Sequence, residues 1–245
     1  AANVTINGKL SGANGVTVNG MITGTQTQNK LTVAGGSIEV SGHGIYQAGY
    51  SEVTIEDGST INASATGIET RAGKLVVNGG TITGGDAETT CTANGGGTTV
   101  DNAGIAIAQH TTKLPIDVAI SGGTITGTSA VYEANPQEND ADSIAQVKLA
   151  ISGGIFTGAI CSTDLTGFIT GGNFSVDPTA FVAGELPVTA EDNGTYTVNK
   201  TAEPTEPTEP TEPTEPEAPE QPAEPEVPSN VTITDSNPTV INGIE

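Results

Sequence analysis

Residues 31–83 read LTVAGGSIEVSGHGIYQAGYSEVTIEDGSTINASATGIETRAGKLVVNGGTIT, and one phrase occurs in them three times. Leu31-Thr-Val-Ala-Gly35, Val53-Thr-Ile-Glu-Asp57 and Leu75-Val-Val-Asn-Gly79 start 22 residues apart. Self-similarity at a fixed period of roughly 20–50 residues marks a repeat architecture. Within each phrase apolar and polar residues alternate, which describes a short strand with one buried face. The phrase returns on both sides as Val4-Thr-Ile-Asn-Gly8, Val16-Thr-Val-Asn-Gly20, Val118-Ala-Ile-Ser-Gly122, Leu149-Ala-Ile-Ser-Gly153 and Phe168-Ile-Thr-Gly171. A second apolar piece follows each time, among them Ser37-Ile-Glu-Val40, Thr60-Ile-Asn62, Thr81-Ile-Thr83 and Thr124-Ile-Thr126. A third beat falls at Ile45, Ile68, Ile105, Val131 and Ile160. No single unit of three such strands buries its own Ile and Val, so units must stack. The expected fold is all-β, a right-handed parallel β-helix of about 7–8 coils over residues 1–200, with the Gly-Gly pairs at its corners.

Composition agrees with thin, regular layers. Aromatic residues make up 3% of the chain, Trp is absent and Gly numbers 33. Residues 1–200 carry 18 acids against 7 bases and residues 201–245 carry 11 acids and no base, which sets the net charge at −22. That surface repels phosphate backbones and anionic lipids, so nucleic acid is not an expected partner. No apolar run approaches the ~18 residues of a membrane helix, and no membrane insertion is expected. The opening Ala1-Ala2-Asn3 leads directly into a strand pattern and reads as a mature start after signal-peptide removal. Cys91 and Cys161 are too few for a zinc site or a disulfide scaffold. They are a candidate single bridge in an oxidising compartment, with two free thiols as the alternative.

After Lys200 the character changes. Residues 201–229 hold a Glu-Pro-Thr tract that cannot build a core and is expected as a polyproline II linker. Beyond it, Asn230-Val-Thr-Ile-Thr234 and Pro238-Thr-Val-Ile-Asn-Gly243 return to the vocabulary of the coils as a C-terminal strand segment, 230–245. Strands so isolated need a sheet edge. A stack of coils exposes one at each end, and nothing before Asn3 reads as a cap.

Catalytic constellations are not in evidence. A lyase acting on acidic sugars needs a base and calcium, and a hydrolase needs paired carboxylates. The one arginine is Arg71 and no Asp-Asp pair occurs. Glu56-Asp57 and Glu191-Asp192 read as solvated turns, and His43 and His110 lie near corners with no third ligand. Gly84-Gly-Asp86, Asp101, Asp140 and Asp142 are weak calcium candidates beside the flexible-loop reading. The Thr-x-Thr pairs at Thr81 and Thr124 suggest a water-ordering ladder, which Glu39 and Asn62 break. Asn-x-Ser/Thr triplets, such as the one at Asn62, are expected by chance in a Thr-rich chain.

The run Ile151-Ser-Gly-Gly-Ile-Phe-Thr-Gly158, followed by Gly171-Gly-Asn-Phe-Ser-Val-Asp-Pro178, Phe181-Val-Ala-Gly184 and Asn193-Gly-Thr-Tyr-Thr-Val198, resembles surface proteins of gut Firmicutes. Those proteins look like pectate-lyase-type parallel β-helices without the enzyme site. The resemblance covers about residues 31–200 and implies a last coil at 171–178 and a closing hairpin around 194–198.

The expectation is therefore a secreted, non-catalytic structural protein of a bacterial cell surface, needing no cofactor or metal. Its subunits would join head to tail into a filament. Val231, Thr232, Ile233, Thr234, Val240 and Ile241 are the candidate donated residues, and Val4 and Ile6 belong to the candidate accepting edge. The competing expectation is a monomeric adhesin that binds host glycan or protein through insertions at 84–103 and 133–146. A polysaccharide lyase or hydrolase is third.

Overall fold

Val and Ile at alternate positions favour pleated strands, but strands of this length are not stable alone and must pair. In a computed structural model, which describes residues 2–26, 29–85 and 102–199, they pair almost without exception in parallel. The described residues belong to one compact unit, Ala1–Glu203. Of them 48% lie in strands and 4% in helices, so the fold is nearly all-β with parallel sheets.

The strands form three rows. The first is a six-stranded sheet of Asn3–Ile6, Lys30–Val33, Glu52–Ile55, Gly73–Val77, Ile116–Ile120 and Val147–Ile151. The second contains Lys9–Gly12, Ser37–Val40, Thr60–Ala63 and Thr81–Thr83. It continues through the leading halves of the long strands Thr124–Glu133 and Ile155–Ser162 and ends on Gly172–Phe174. The third contains Val16–Val18, Ile45–Gln47, Ile68–Thr70 and Ala103–Ile107, then the trailing halves of the same two long strands. The chain visits first, second and third rows in that order six times, each visit making one rung. Ile169, bridged to Ile151, and Gly172–Phe174 make part of a seventh.

One phrase of the sequence takes a different place from the one expected. Val16-Thr-Val-Asn-Gly20 reads like the opening of a coil, yet it is the third strand of rung 1, with Val16 opposite Ile45 and Val18 opposite Gln47. The spacing from Val4 to Val16 is too short for three strands and their corners. This placement lowers the number of rungs below the number of phrases.

Register holds like residues in columns. Val4, Leu31, Val53, Leu75, Val118 and Leu149 stack in the first row. The third-beat residues Ile45, Ile68, Ile105 and Val131 stack in the third, each fully buried. Outward on the first row runs a column of alternating charge: Lys30, Glu52, Lys74, Asp117 and Lys148. Its first pair closes at 2.9 Å.

Two glycine columns set the corners. Gly80 and Gly123 turn from first to second row at φ 81° and 91°, a region L side chains disfavour. Before the third beat, Gly44, Gly67 and Gly104 lack positive φ but sit against the next rung. A Cβ on Gly67 would lie 2.5 Å from the Gly104 carbonyl oxygen. Gly67→Ala should therefore force the rungs apart and cost about 1–3 kcal/mol. Gly8→Ala, with nothing within 4 Å of the added carbon, should stay within about 0.5 kcal/mol of wild type. Urea denaturation of the two variants checks this, and equal costs would refute it.

Candidate functional site

Rung 1 consists of three strands, and among the described residues each pairs on one side only. Ala2 and Ile6 accept at their carbonyls from the N–H groups of Lys30 and Ala34 at 2.8 and 2.9 Å. Successive residues of a parallel strand face opposite neighbours, so Asn3 and Thr5 turn their N–H and C=O groups away from rung 2. The side chains show the same asymmetry. Val4 is 50% exposed, whereas Leu31 and Val53 in its column are 2% and 0% exposed. Ile6, Leu10 and Val16 are only partly buried. Val4, Val16, Val18 and Leu31 line a cleft of about 140 Å³. The sequence singled out Val4 and Ile6, and the structure places both on this open edge.

At the opposite end antiparallel strands close the second row, while the first row ends in the single bridges Ile151–Ile169 and Ile169–Val182. Gly172–Phe174 pairs with Tyr196–Val198, and that strand with Val188–Ala190, both antiparallel. This reversal ends the parallel pairing of the second row. Phe156 and Phe174 stack at 4.8 Å between ring centroids, and Phe168 and Phe181 at 5.3 Å. Ile169 bridges to Val182 across the first row.

The remaining candidates disperse. Arg71 is 2% exposed, pairs with Glu69 at 3.2 Å and donates to the Ala108 carbonyl at 2.6 Å. His43 lines a groove with Tyr46 and Glu69, while His110 bonds Thr111. Burial, with the Arg71 cation second, lowers the His110 pKa. Asp140 caps the short helix Ala141–Ile144 and pairs with Lys113. No group of three metal-ligating side chains occurs among the described residues. Thr60, Thr81 and Thr124 form one short column, followed by Ile155, and Thr83, Thr126 and Thr157 form another, preceded by Asn62. Cys161 is half-buried and carries no free thiol. Cys91, Asp86, Asp101 and the donor candidates Val231, Thr232, Ile233, Thr234, Val240 and Ile241 lie outside the described residues.

One acid escaped the sequence reading. Glu133 occupies the third-row column of Val18, Gln47, Thr70 and Ile107 and is 2% exposed. Its Oε2 accepts from the Ser162 hydroxyl at 2.7 Å and from the Thr163 and Asp164 N–H groups at 3.1 Å each, tying rung 5 to the loop after rung 6. The available signal was an acid at an inward beat, two residues after Val131. Beside it Tyr132, Asn135, Glu138, Asn139, Asp164 and Phe181 line an open cleft of about 930 Å³.

Burial raises the Glu133 pKa above its ordinary 4.5, and the hydrogen bonds from Ser162, Asp164 and Thr163 oppose this without cancelling it. The folded state then holds this proton more tightly than the unfolded one. Its contribution to stability is complete below the ordinary glutamate pKa and is lost as pH rises through the raised value. Asp140 acts with opposite sign in a lower window, because its pKa is lowered, by Lys113 first. Glu133→Gln should flatten the fall in stability above about pH 4.5. Denaturation midpoints from pH 4 to 8 test this, and an unchanged slope would count against it.

The chain matches no protein-family model, and no curated protein or solved structure is similar to it at a meaningful level.

Proposed function

We propose that this chain is an extracellular, non-catalytic structural protein of a bacterial cell surface. Its domain is a right-handed parallel β-helix in which each rung is one coil. Its subunits assemble head to tail by donating their C-terminal strands to a neighbour. The observation that carries this reading is the contrast between the two ends of the stack, one whose second row is closed by antiparallel strands and the other presenting Val4 and backbone that has no strand partner among the described residues. The sequence supplies the match. Residues 230–233 repeat the wording of the first strand, and the tract 201–229, if it were extended as polyproline II, would span on the order of 90 Å at about 3.1 Å per residue. Six rungs and part of a seventh at about 4.8 Å correspond to a stack on the order of 30 Å high, less than the length such an extended tract would have.

The surface location rests on the acidic balance, and the non-catalytic reading on Arg71 being engaged inside the fold rather than offered to a substrate. A second reading, an adhesin for host glycan or protein, is favoured by the cleft beside the 133–146 insertion, where Tyr132 and Phe181 border amide and acid side chains.

Electron microscopy of the purified chain separates the two. Regular fibres that disappear on deletion of residues 229–245 are the expected result. A full-length chain that remains monomeric across concentrations would sink the assembly reading and leave the adhesin.

A further inference from the structure

The first strand and the tail share four consecutive residues: Asn3-Val-Thr-Ile6 and Asn230-Val-Thr-Ile233. Inside the stack, register follows residue type. Val4 lies on Leu31, Thr5 on Thr32 and Ile6 on Val33, and the next rung repeats this with Val53, Thr54 and Ile55. Resting on the strand-exchange reading above, we infer that the tail of a second copy adds to the first row as a parallel rung below rung 1. Asn230 falls on Asn3, Val231 on Val4, Thr232 on Thr5 and Ile233 on Ile6.

The hydrogen bonds follow from the pairing already present. Lys30 N–H bonds the carbonyl one residue before its register partner, that of Ala2. By the same rule Thr5 N–H bonds the Val231 carbonyl, and Asn7 N–H the Ile233 carbonyl. Val231 and Ile233 N–H groups bond the carbonyls of Asn3 and Thr5. The groups that rung 1 turns away from rung 2 are the ones used. Val231 and Ile233 cover the exposed Val4 and the half-buried Ile6, while Thr232 extends the outward column of Thr5, Thr32 and Thr54. Asn230 stacks on Asn3 at the uncharged end of the Lys–Glu column.

The third row also offers a Val-Thr-Val edge, Val16–Val18, but it fits less well. Val18 is already 7% exposed, so little apolar surface remains to cover there. Placing the first segment on the first row also brings the second segment, in chain order, onto Lys9–Gly12 of the same rung, with Val240 over Leu10. The corner from Ile233 to Val240 is then one residue longer than the corner from Ile55 to Ile61, and it holds Asp235, Ser236, Asn237 and Pro238, a composition suited to a turn. At the other end antiparallel strands occupy the second row, so the second segment finds no parallel partner there, and addition is directed to rung 1.

The test uses the full chain carrying the pair Thr5→Cys and Thr232→Cys, bridged by a short thiol-reactive crosslinker. Controls are Thr5→Cys with Thr234→Cys, which shifts register by two residues, and Thr17→Cys with Thr232→Cys, which probes the third row. Most of the in-register variant should convert to a ladder of covalent multimers on a denaturing gel, with at least tenfold less product in either control. Crosslinks confined to single chains would overturn exchange between copies. Fibres by microscopy without in-register crosslinking, or with either control crosslinking better, would overturn the register while leaving assembly intact. Loss of fibres in unmodified full-length protein would remove the assembly reading itself.

Discussion

Parallel pairing between successive rungs, in a register where each column keeps its kind, is the constraint on which the structure depends. The strands are mostly three to five residues long and have no stability of their own. Ile45 is buried because Ile68 and Ile105 stand above it in the same column. A slip of one residue would carry Lys30 and Glu52 into the core and Leu31 and Val53 into water. The alternating charge column penalises other errors: moving one strand by a whole rung would set Lys against Lys. Stability of this kind is a sum over neighbours, so interior rungs are satisfied on both sides and terminal rungs are not.

The same spacing explains why polar groups are admitted inside. Rungs pinned close together by Gly44, Gly67 and Gly104 leave room at the end of the third row for Gln47, Glu133 and, beside them, Arg71. Each is held by the backbone of adjacent rungs: Gln47 bonds the carbonyls of Ser51 and Lys74, and Arg71 that of Ala108. The 133–146 insertion is fastened in the same way, through Asn139 to Gln109 and His110 and through Gln109 to Leu114 and Ser143. An insertion can thus leave and rejoin the stack without disturbing the columns above it.

Much of this was legible in the sequence because burial in a stack is written locally. Alternation in Val53-Thr-Ile and the third beat at Ile45, Ile68 and Ile105 needed no knowledge of distant residues. The charge column was not legible, since Glu52, Lys74 and Asp117 meet only once register is known, and 84–103 obscures the spacing between the last two. Val16-Thr-Val misled because the first and third rows use the same wording. Val4 and Ile6 were legible as inward-facing strand positions from alternation. The polar clamp around Glu133 was not, because its partners Ser162, Thr163 and Asp164 arrive from the following rung.

The two ends of the stack are chemically unlike, and that difference limits what any assembly can be. A contact between unlike surfaces is heterologous, so it repeats with the same sense and closes only if the rotation happens to allow it. Charge restricts it further: subunits at −22 repel one another, and repulsion between exposed charges weakens beyond roughly 8–10 Å at moderate ionic strength. Residues 229–234, Ser-Asn-Val-Thr-Ile-Thr, carry no charge. In the proposed assembly, a strand of this composition would add neutral backbone hydrogen bonds and buried Val and Ile at the join without bringing further charge to it. Attraction at such an edge would be short-ranged, and the repulsion between acidic subunits that opposes it is weakened by salt.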